Sequence, residues 1–346
     1  MAGTPTKLED LEPDLTQNSL AFLQRSIAGI NTAAETSTPH QVLTFAVVDL
    51  AVAIEVLLKA RLAREHWSLI ISEVNKANVG NLLQGQTKTV TPDEALARLA
   101  GIAQVKLGSD STVDRLKQAK DIVKLRNRAA HFTLANESEA GIRAQLGTGL
   151  AFALWFLGTE FQPATQSPSQ ALVTDVIAAI SSEIGKIDDL VSARMAELET
   201  KLAAAVVCLD CPTCKQPALV FDDAGAHCLF CLAAGEDGPT LAEAYVADVL
   251  DLTSYAVLTD GGEWPVHECP NCSEEAFVFG ITPRRSDLYT AIAEQRADGP
   301  LPYAWGCFAC ALLATAAEVQ MCTWCGRPTL DHNICGDCAA DRMARD

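Results

Sequence analysis

Apolar residues recur at helical steps through the first 205 or so positions of the chain and lose that period beyond them. Leu15, Leu20, Phe22, Leu23, Ile27 and Ile30 predict a first helix over residues 14–30, after a polar tail of residues 1–12. A turn at 36–39 leads into a long helix over about 40–75, apolar nearly all round at first and amphipathic after Lys59, the pattern of a bundle's central helix. Residues 80–91 read as a polar loop. Thr91-Pro92-Asp93-Glu94 then opens a short helix to about Val105, with Thr91 as N-cap, Pro92 at the first helical position and Glu94 at the third, the spacing of a capping box. Residues 108–111 break it, and Ser111 or Thr112 caps a helix running to about His131. From about 136–138 a further helix carries Ile142, Leu146, Leu150, Leu154 and Leu157 at steps of three and four, completing a bundle near Phe161.

Pro163 and Pro168 bracket a break, after which residues 169–205 read as one more helix. Val173, Ile177, Ile180, Ile184, Ile187 and Val191 alternate steps of four and three, a heptad seam continued loosely by Met195, Leu198 and Leu202. Such a helix either forms a coiled-coil arm, joining the two halves or pairing two protomers, or lies as an amphipathic helix on its own bundle. The most apolar stretch, residues 42–58, is interrupted by Asp49 and Glu55 and is short for a bilayer span, so it reads as a core helix and no segment is expected to span a membrane.

Charge divides the chain at the same place as periodicity. Residues 1–205 hold 19 Lys and Arg against 23 Asp and Glu, a net of −4, whereas residues 206–346 hold 7 against 21, a net of −14. Nucleic-acid binding needs cations that displace counterions from phosphate, so the C-terminal half suits that task poorly. That acidic half holds all thirteen cysteines. Because residues 1–20 are polar, with two prolines and five charged side chains, they do not read as a signal peptide, and cysteines spaced as Cys-x-x-Cys in a reducing compartment read as metal ligands. A cytoplasmic protein is the expectation.

Six such pairs make three sets. Cys211/Cys214 and Cys228/Cys231 are separated by thirteen residues, Cys269/Cys272 pairs with Cys307/Cys310 across a longer insert with a helix expected around 287–296, and Cys322/Cys325 pairs with Cys335/Cys338. Four thiolates on two knuckles suit tetrahedral zinc, and a full set leaves no open position for a reacting water. Three structural zinc sites are therefore expected, with no catalytic metal. Cys208 is left over; Cys208/Cys211 could form the first knuckle instead, but the Cys-Pro-x-Cys form shared by Cys211/Cys214 and Cys269/Cys272 favours the latter. His227 and His267 flank knuckles and read as bystanders. Modules of this kind resemble zinc ribbons, which contact nucleic acid or protein; here the acidity favours folding, assembly or regulation, touching protein or a basic ligand.

The chemistry outside the cysteines concentrates in residues 117–132, KQAKDIVKLRNRAAHF. At 3.6 residues per turn Ile122, Leu125, Ala129 and Phe132 share one side, while Lys117, Lys120, Lys124, Arg128 and His131 recur on another. Asn127 lies one turn before His131, about 40° away, and Arg126 about 100° further round. Arg126 meets His131 only by its reach, by a frayed helix end, or across a two-fold axis from a second copy, and the last is the expectation. A second Arg-x4-His pair, Arg61 and His66, lacks the following Asn and the basic surroundings. Glu55, four residues before Lys59, reads as an ordinary ion pair, with orientation of Arg126 or His131 as the alternative.

Arg126, Asn127 and His131 are similar to the Arg-x4–6-His motif, often with Asn after the Arg, that marks the HEPN superfamily. The resemblance covers the first half of the chain. It implies a mainly α helical bundle over residues 1–165 that dimerises across the motif helix and cleaves RNA without metal. Arg126 would hold the phosphate, His131 would act as acid or base, Asn127 would orient them, and Lys117, Lys120, Lys124 and Arg128 would track the RNA. HEPN nucleases with appended zinc modules further imply a toxin or antiviral defence effector. The subfamily paired with nucleotidyltransferases has Tyr two residues after the His, where this chain has Thr133. A long linking helix (166–206) would then join the bundle to small zinc-ribbon (α+β) modules over 207–240, 241–318 and 319–346. The alternatives are a non-catalytic zinc-ribbon scaffold or sensor whose helical half dimerises or binds a nucleotide, and a DNA-binding protein, which the acidic half disfavours.

Overall fold

The structure, a computed structural model, describes residues 7–108, 113–162, 169–223, 225–233, 238–259, 261–283, 304–330 and 332–344. The helix expected around 287–296 and the caps expected at Ser111 or Thr112 lie outside them. The chain forms two compact units, Met1–Glu197 and Leu198–Asp346, the first helical and the second built from small antiparallel sheets and short helices.

In the helical unit, α1 (Leu11–Thr32) and α2 (Pro39–Glu65) pack along their lengths. Ser19 Oγ donates to Ala53 O (2.8 Å) and Ser26 Oγ to Ala46 O (2.9 Å), satisfying buried hydroxyls across the seam. α2 also meets α4 (Pro92–Gly101), α5 (Arg115–His131) and α6 (Glu139–Glu160), so it is the bundle's centre. Leu43, Val47, Leu50, Ile54 and Leu58 are fully buried on it. The helix ends ten residues earlier than its pattern suggests. His66 is extended, and its ring accepts from Ser68 N to cap a 3-10 turn, so residues 67–76 form short turns rather than helix. α3 (Val79–Leu83) occupies part of the stretch read as loop, capped by Asn78.

The capping box at the start of α4 is present as expected: Glu94 N donates to Thr91 Oγ1, and Thr91 N donates to Glu94 Oε2 at 2.7 Å. That backbone N–H holds the Glu94 carboxyl below its usual range. The α5 cap is Asp114, whose side chain accepts from Lys117 N at 2.9 Å. In α6 all five expected apolar positions are buried.

Residues 169–205 form two helices, α7 (Ser169–Ile184) and α8 (Asp188–Ala204), rather than one. Gly185 and Lys186 interrupt the run, and Asp188 and Asp189 begin the second helix, where acids favour a helix N-terminus. α7 packs on α1, with Val173, Ile177, Ile180 and Ile184 buried, and Asn31 Nδ2 bonds Glu183 Oε2 at 3.0 Å. The α7 part of the heptad seam is thus covered by α1 of its own unit. Gly147 on α6 permits a close crossing: a Cβ there would lie 2.6 Å from Asp189 C. Gly147→Val is expected to lower stability in urea denaturation by about 1–3 kcal/mol or more, the usual cost of overpacking.

Two helices, α2 and α6, are long and apolar enough to cross a membrane by length and composition, with 56% and 61% of their most apolar windows buried in the fold.

In the second unit, β1 (Cys208–Leu209), β2 (Leu219–Asp222) and β3 (Gly225–Cys228) form one antiparallel sheet. After α9 (Gly238–Asp248) and α10 (Ser254–Thr259), a second sheet runs in order through β4 (Val266–Glu268), β5 (Glu275–Ile281), β6 (Ala304–Cys307) and β7 (Leu313–Thr315). β8 (Val319–Met321) and β9 (Pro328–Leu330) pair, and α11 (Gly336–Met343) follows. The first two sheets share a core. Phe308 is buried against Phe221 (ring centroids 5.2 Å apart) and Tyr245 (5.1 Å), and Ala226 N donates to Phe308 O at 3.0 Å.

Candidate functional site

α5 buries Arg115, Ala119, Ile122 and Leu125 and exposes Lys117, Lys120, Lys124, Asn127, Arg128, Ala130 and His131. Asn127 and His131 are both exposed, one turn apart, and neither side chain makes a hydrogen bond to a described residue. Phe132, expected on the packed side, is 89% exposed: the helix stops at His131, and the φ/ψ of −136°/−117° at Phe132 throws it off the apolar row.

Arg126 is half-buried against α2. Its Nη2 lies 3.4 Å from Glu55 Oε2, and its buried Nε has no hydrogen-bond partner among the described residues. Glu55 also receives Lys59 Nζ at 2.8 Å, and that ammonium donates to Thr89 Oγ1 at 3.0 Å. The ion pair with Lys59 is present as expected, and the same carboxylate also contacts Arg126. A guanidinium with five donors and one long contact keeps most of its capacity for an anion.

The basic stripe is already paired. Lys117 and Lys124 flank Asp121 at 2.5 and 3.2 Å, Lys120 lies 3.6 Å from Asp93, and Arg128 contacts Glu137 at 2.5 Å. The Lys117 contact pulls the Asp121 carboxyl below its usual range. These exposed pairs are weak and screened by salt, so phosphates could displace them. By contrast Arg61 is tied to Glu65 (2.7 Å) and Glu160 (2.9 Å), while His66 caps a turn, which makes the second Arg-x4-His pair structural.

The cysteines assemble into the three expected sets, with the four sulfurs of each within 4.8 Å of one another. Bonds of about 2.3 Å from a central ion place the sulfurs of a tetrahedron about 3.8 Å apart. The structure has Cys211–Cys231 at 3.9 Å, Cys214–Cys228 at 3.7 Å, Cys269–Cys310 and Cys272–Cys307 at 3.7 Å, and Cys325–Cys335 at 3.6 Å. Each set fits a metal ion. Cys208 stands outside, its thiol donating to Pro217 O at 2.9 Å. His227 and His267 join none of them.

One backbone device recurs at five of the six knuckles. The residue after the second cysteine takes a positive φ, at Lys215 (62°), Leu232 (64°), Ser273 (63°), Ala311 (58°) and Gly326 (74°). Its N–H then donates to the carbonyl of the first cysteine at 2.9–3.0 Å. This left-handed closure turns both sulfurs to one side, and only Gly326 carries the residue type that signals it in a sequence. The sixth knuckle differs: Cys335 caps α11, accepting from Cys338 N. Without a cation the thiols of a set compete for charge. Backbone N–H groups of Cys335, Cys325 and Trp324 hold Cys322 down to about 6, whereas contact with Cys335 pushes Cys338 up to about 12.

The sets differ in cover. All four cysteines of the first are buried, two of the second, and one of the third, where Cys325 is exposed. In metal-loaded protein a chelator is therefore expected to draw one equivalent from the third set well before the others, followed with a metallochromic dye. Release of all three at one rate would contradict this ordering.

Comparison with family models, curated proteins and solved structures finds no match to this chain.

Proposed function

We propose that this chain is a metal-independent endoribonuclease acting as a homodimer in the cytoplasm, with the exposed face of α5 as its active site and zinc in its three four-cysteine sets. The observation that carries this reading is the pairing of an under-satisfied Arg126 with unbonded, exposed Asn127 and His131 at the end of one helix. In a fold, groups held ready but not consumed by structural bonds are candidates for a ligand.

His131 removes the proton of a ribose 2′-hydroxyl, the oxygen attacks the adjacent phosphorus, and the 5′-oxygen leaves with a proton from an acid in the same site. Arg126 holds the phosphate and the charge it gains in the transition state, and Glu55 fixes that guanidinium. Asn127 orients the imidazole or the phosphate by hydrogen bonding. Two copies meeting along α5 bring Arg126 of each toward His131 of the other. Lys117, Lys120, Lys124 and Arg128 exchange their carboxylate partners for RNA phosphates. Zinc supplies cross-links to a half with small modules, and the reduced thiols that bind it suit a reducing compartment. The likeness of the motif to HEPN nucleases points to a toxin or antiviral defence effector.

The test is incubation with single-stranded and hairpin RNA, without Mg²⁺ and with EDTA. Products ending in 2′,3′-cyclic or 3′-phosphate with 5′-hydroxyl partners are expected. Ends carrying 5′-phosphate, a requirement for Mg²⁺, or no cleavage would count against the reading.

The paired state of the α5 cations favours a second reading, a zinc-ribbon scaffold whose helical half only dimerises. Under that reading, His131→Ala changes nothing, and partner binding is lost only with the cysteine sets.

A further inference from the structure

We infer that the groove between the start of α2 and the end of α5 is a nucleobase subsite for single-stranded RNA, walled by Phe45 and Phe132. Single exposed apolar side chains are ordinary, but here two phenylalanines are exposed along one groove. Phe132 is 89% exposed and Phe45 61% exposed, and both line one open groove of ≈ 560 Å³ with Pro39, Thr44 and Ala129. That volume lies within the range of small-ligand sites, about 300–1,000 Å³. The groove is held in shape: His40 Nε2 bonds Leu134 O at 2.9 Å, tying the chain after α5 to the start of α2, and Thr44 Oγ1 donates to His40 O at 2.8 Å.

Charge selects the occupant. α5 carries six Lys and Arg, each paired with a carboxylate of Asp93, Asp121, Glu55, Glu137 or Glu197, and the exposed pairs of Lys117, Lys120, Lys124 and Arg128 are weak enough for the phosphates of a polyanion to replace them. A ligand with anionic links and flat aromatic groups satisfies both features, and a single-stranded nucleic acid is such a ligand. Phe132 directly follows His131 in the chain, so a phosphate at Arg126 and His131 leaves a neighbouring base within reach of the exposed ring. Stacking tolerates any base because every base has a π face, so this subsite selects unpaired over paired RNA rather than one sequence. A duplex keeps its bases stacked on one another and has none to offer.

The inference rests on the ribonuclease reading, and its test separates the two. Full-length His131→Ala protein, alone and with Phe45→Ala, Phe132→Ala or Phe132→Trp, is titrated by fluorescence anisotropy into a ten-nucleotide single-stranded RNA. The same titration uses an oligomer with abasic central positions and an RNA duplex. Cleavage by chains retaining His131 and sedimentation of every variant run alongside. Phe132→Ala is expected to raise Kd for the single strand roughly 5- to 150-fold, as loss of one stacked base would. Phe132→Trp should restore binding, and the abasic oligomer should respond little. An unchanged Kd in both alanine variants, with RNA cleaved at the parental rate, overturns the subsite and leaves the nuclease standing. Failure of the parent to bind or cleave RNA removes both. Loss of self-association in Phe132→Ala assigns the groove to a second copy and overturns its reading as a base site.

Discussion

His131→Ala is expected to lower metal-independent RNA cleavage by about 10²–10⁴-fold, the usual contribution of a positioned acid or base. The substitution leaves the fold unchanged, because the imidazole is exposed and bonds no described side chain. Circular dichroism and the thermal midpoint of the variant should therefore match the parent. Arg126→Ala removes the donor to the charged phosphate and is expected to cost about 10²–10³-fold. Arg126→Lys recovers little of this, since one ammonium cannot replace a planar fork of donors. Glu55→Gln tests the bridge separately. It weakens the hold on Arg126 while keeping the shape of the side chain, so its effect on cleavage should be smaller than that of Arg126→Ala, and some loss of stability is expected because Lys59 is nearly covered. Equal activity in the parent and His131→Ala would defeat the assignment of α5 as an active site.

Much of this arrangement could be read from residue order. The capping box at Thr91 and Glu94, the five apolar steps of α6 and the grouping of twelve cysteines are local patterns with fixed spacing, and each appears in the structure. Where tertiary packing decides, the pattern misleads. The pattern that is amphipathic after Lys59 carries the central helix to about residue 75, but His66 turns its ring onto Ser68 N and the helix ends at Glu65. The seam carries a regular heptad across a break at Gly185, and both Ile184 and Ile187 on either side of it are buried. Gly147, which allows the backbone at Asp189 to approach, is the residue that could have signalled this. Phe132 sits on the apolar row of an ideal helix and leaves it only because the helix stops. The bond between Glu55 and Arg126, seventy-one residues apart, has no local signature at all. Neither do the shared Phe308 core of the first two sheets and the positive φ at Lys215, Leu232, Ser273 and Ala311.

The cysteine sets yield the other large effect. Cys214→Ser is expected to reduce bound metal from three equivalents to two and to unfold the first ribbon, because cluster formation and folding of so small a module are one event. Structural zinc sites in isolated fingers contribute about 10–16 kcal/mol, more than the whole stability of an ordinary domain. The first set is the most covered, with Cys211, Cys214, Cys228 and Cys231 all buried, so a three-thiol remnant has no ready water to complete it. The damage should spread. Phe221 of β2 and Ala226 of β3 both contact Phe308, so loss of this ribbon exposes the core it shares with the second sheet. Cys208→Ser is the matched control, one cysteine away in the same sheet. Its thiol donates to Pro217 O, a bond a hydroxyl can also make, and all three equivalents should remain. Cys325→Ser should lose one equivalent while sparing the first two ribbons, since Cys325 is exposed and their shared core is built from Phe221, Tyr245 and Phe308 rather than from residues of its set. Metal content by atomic emission and thermal unfolding by near-ultraviolet circular dichroism read all three variants. Three equivalents in Cys214→Ser, or two in Cys208→Ser, would mean that the first set is not Cys211, Cys214, Cys228 and Cys231. A parental melting profile in Cys214→Ser would mean that the metal decorates a ribbon whose own packing already holds it.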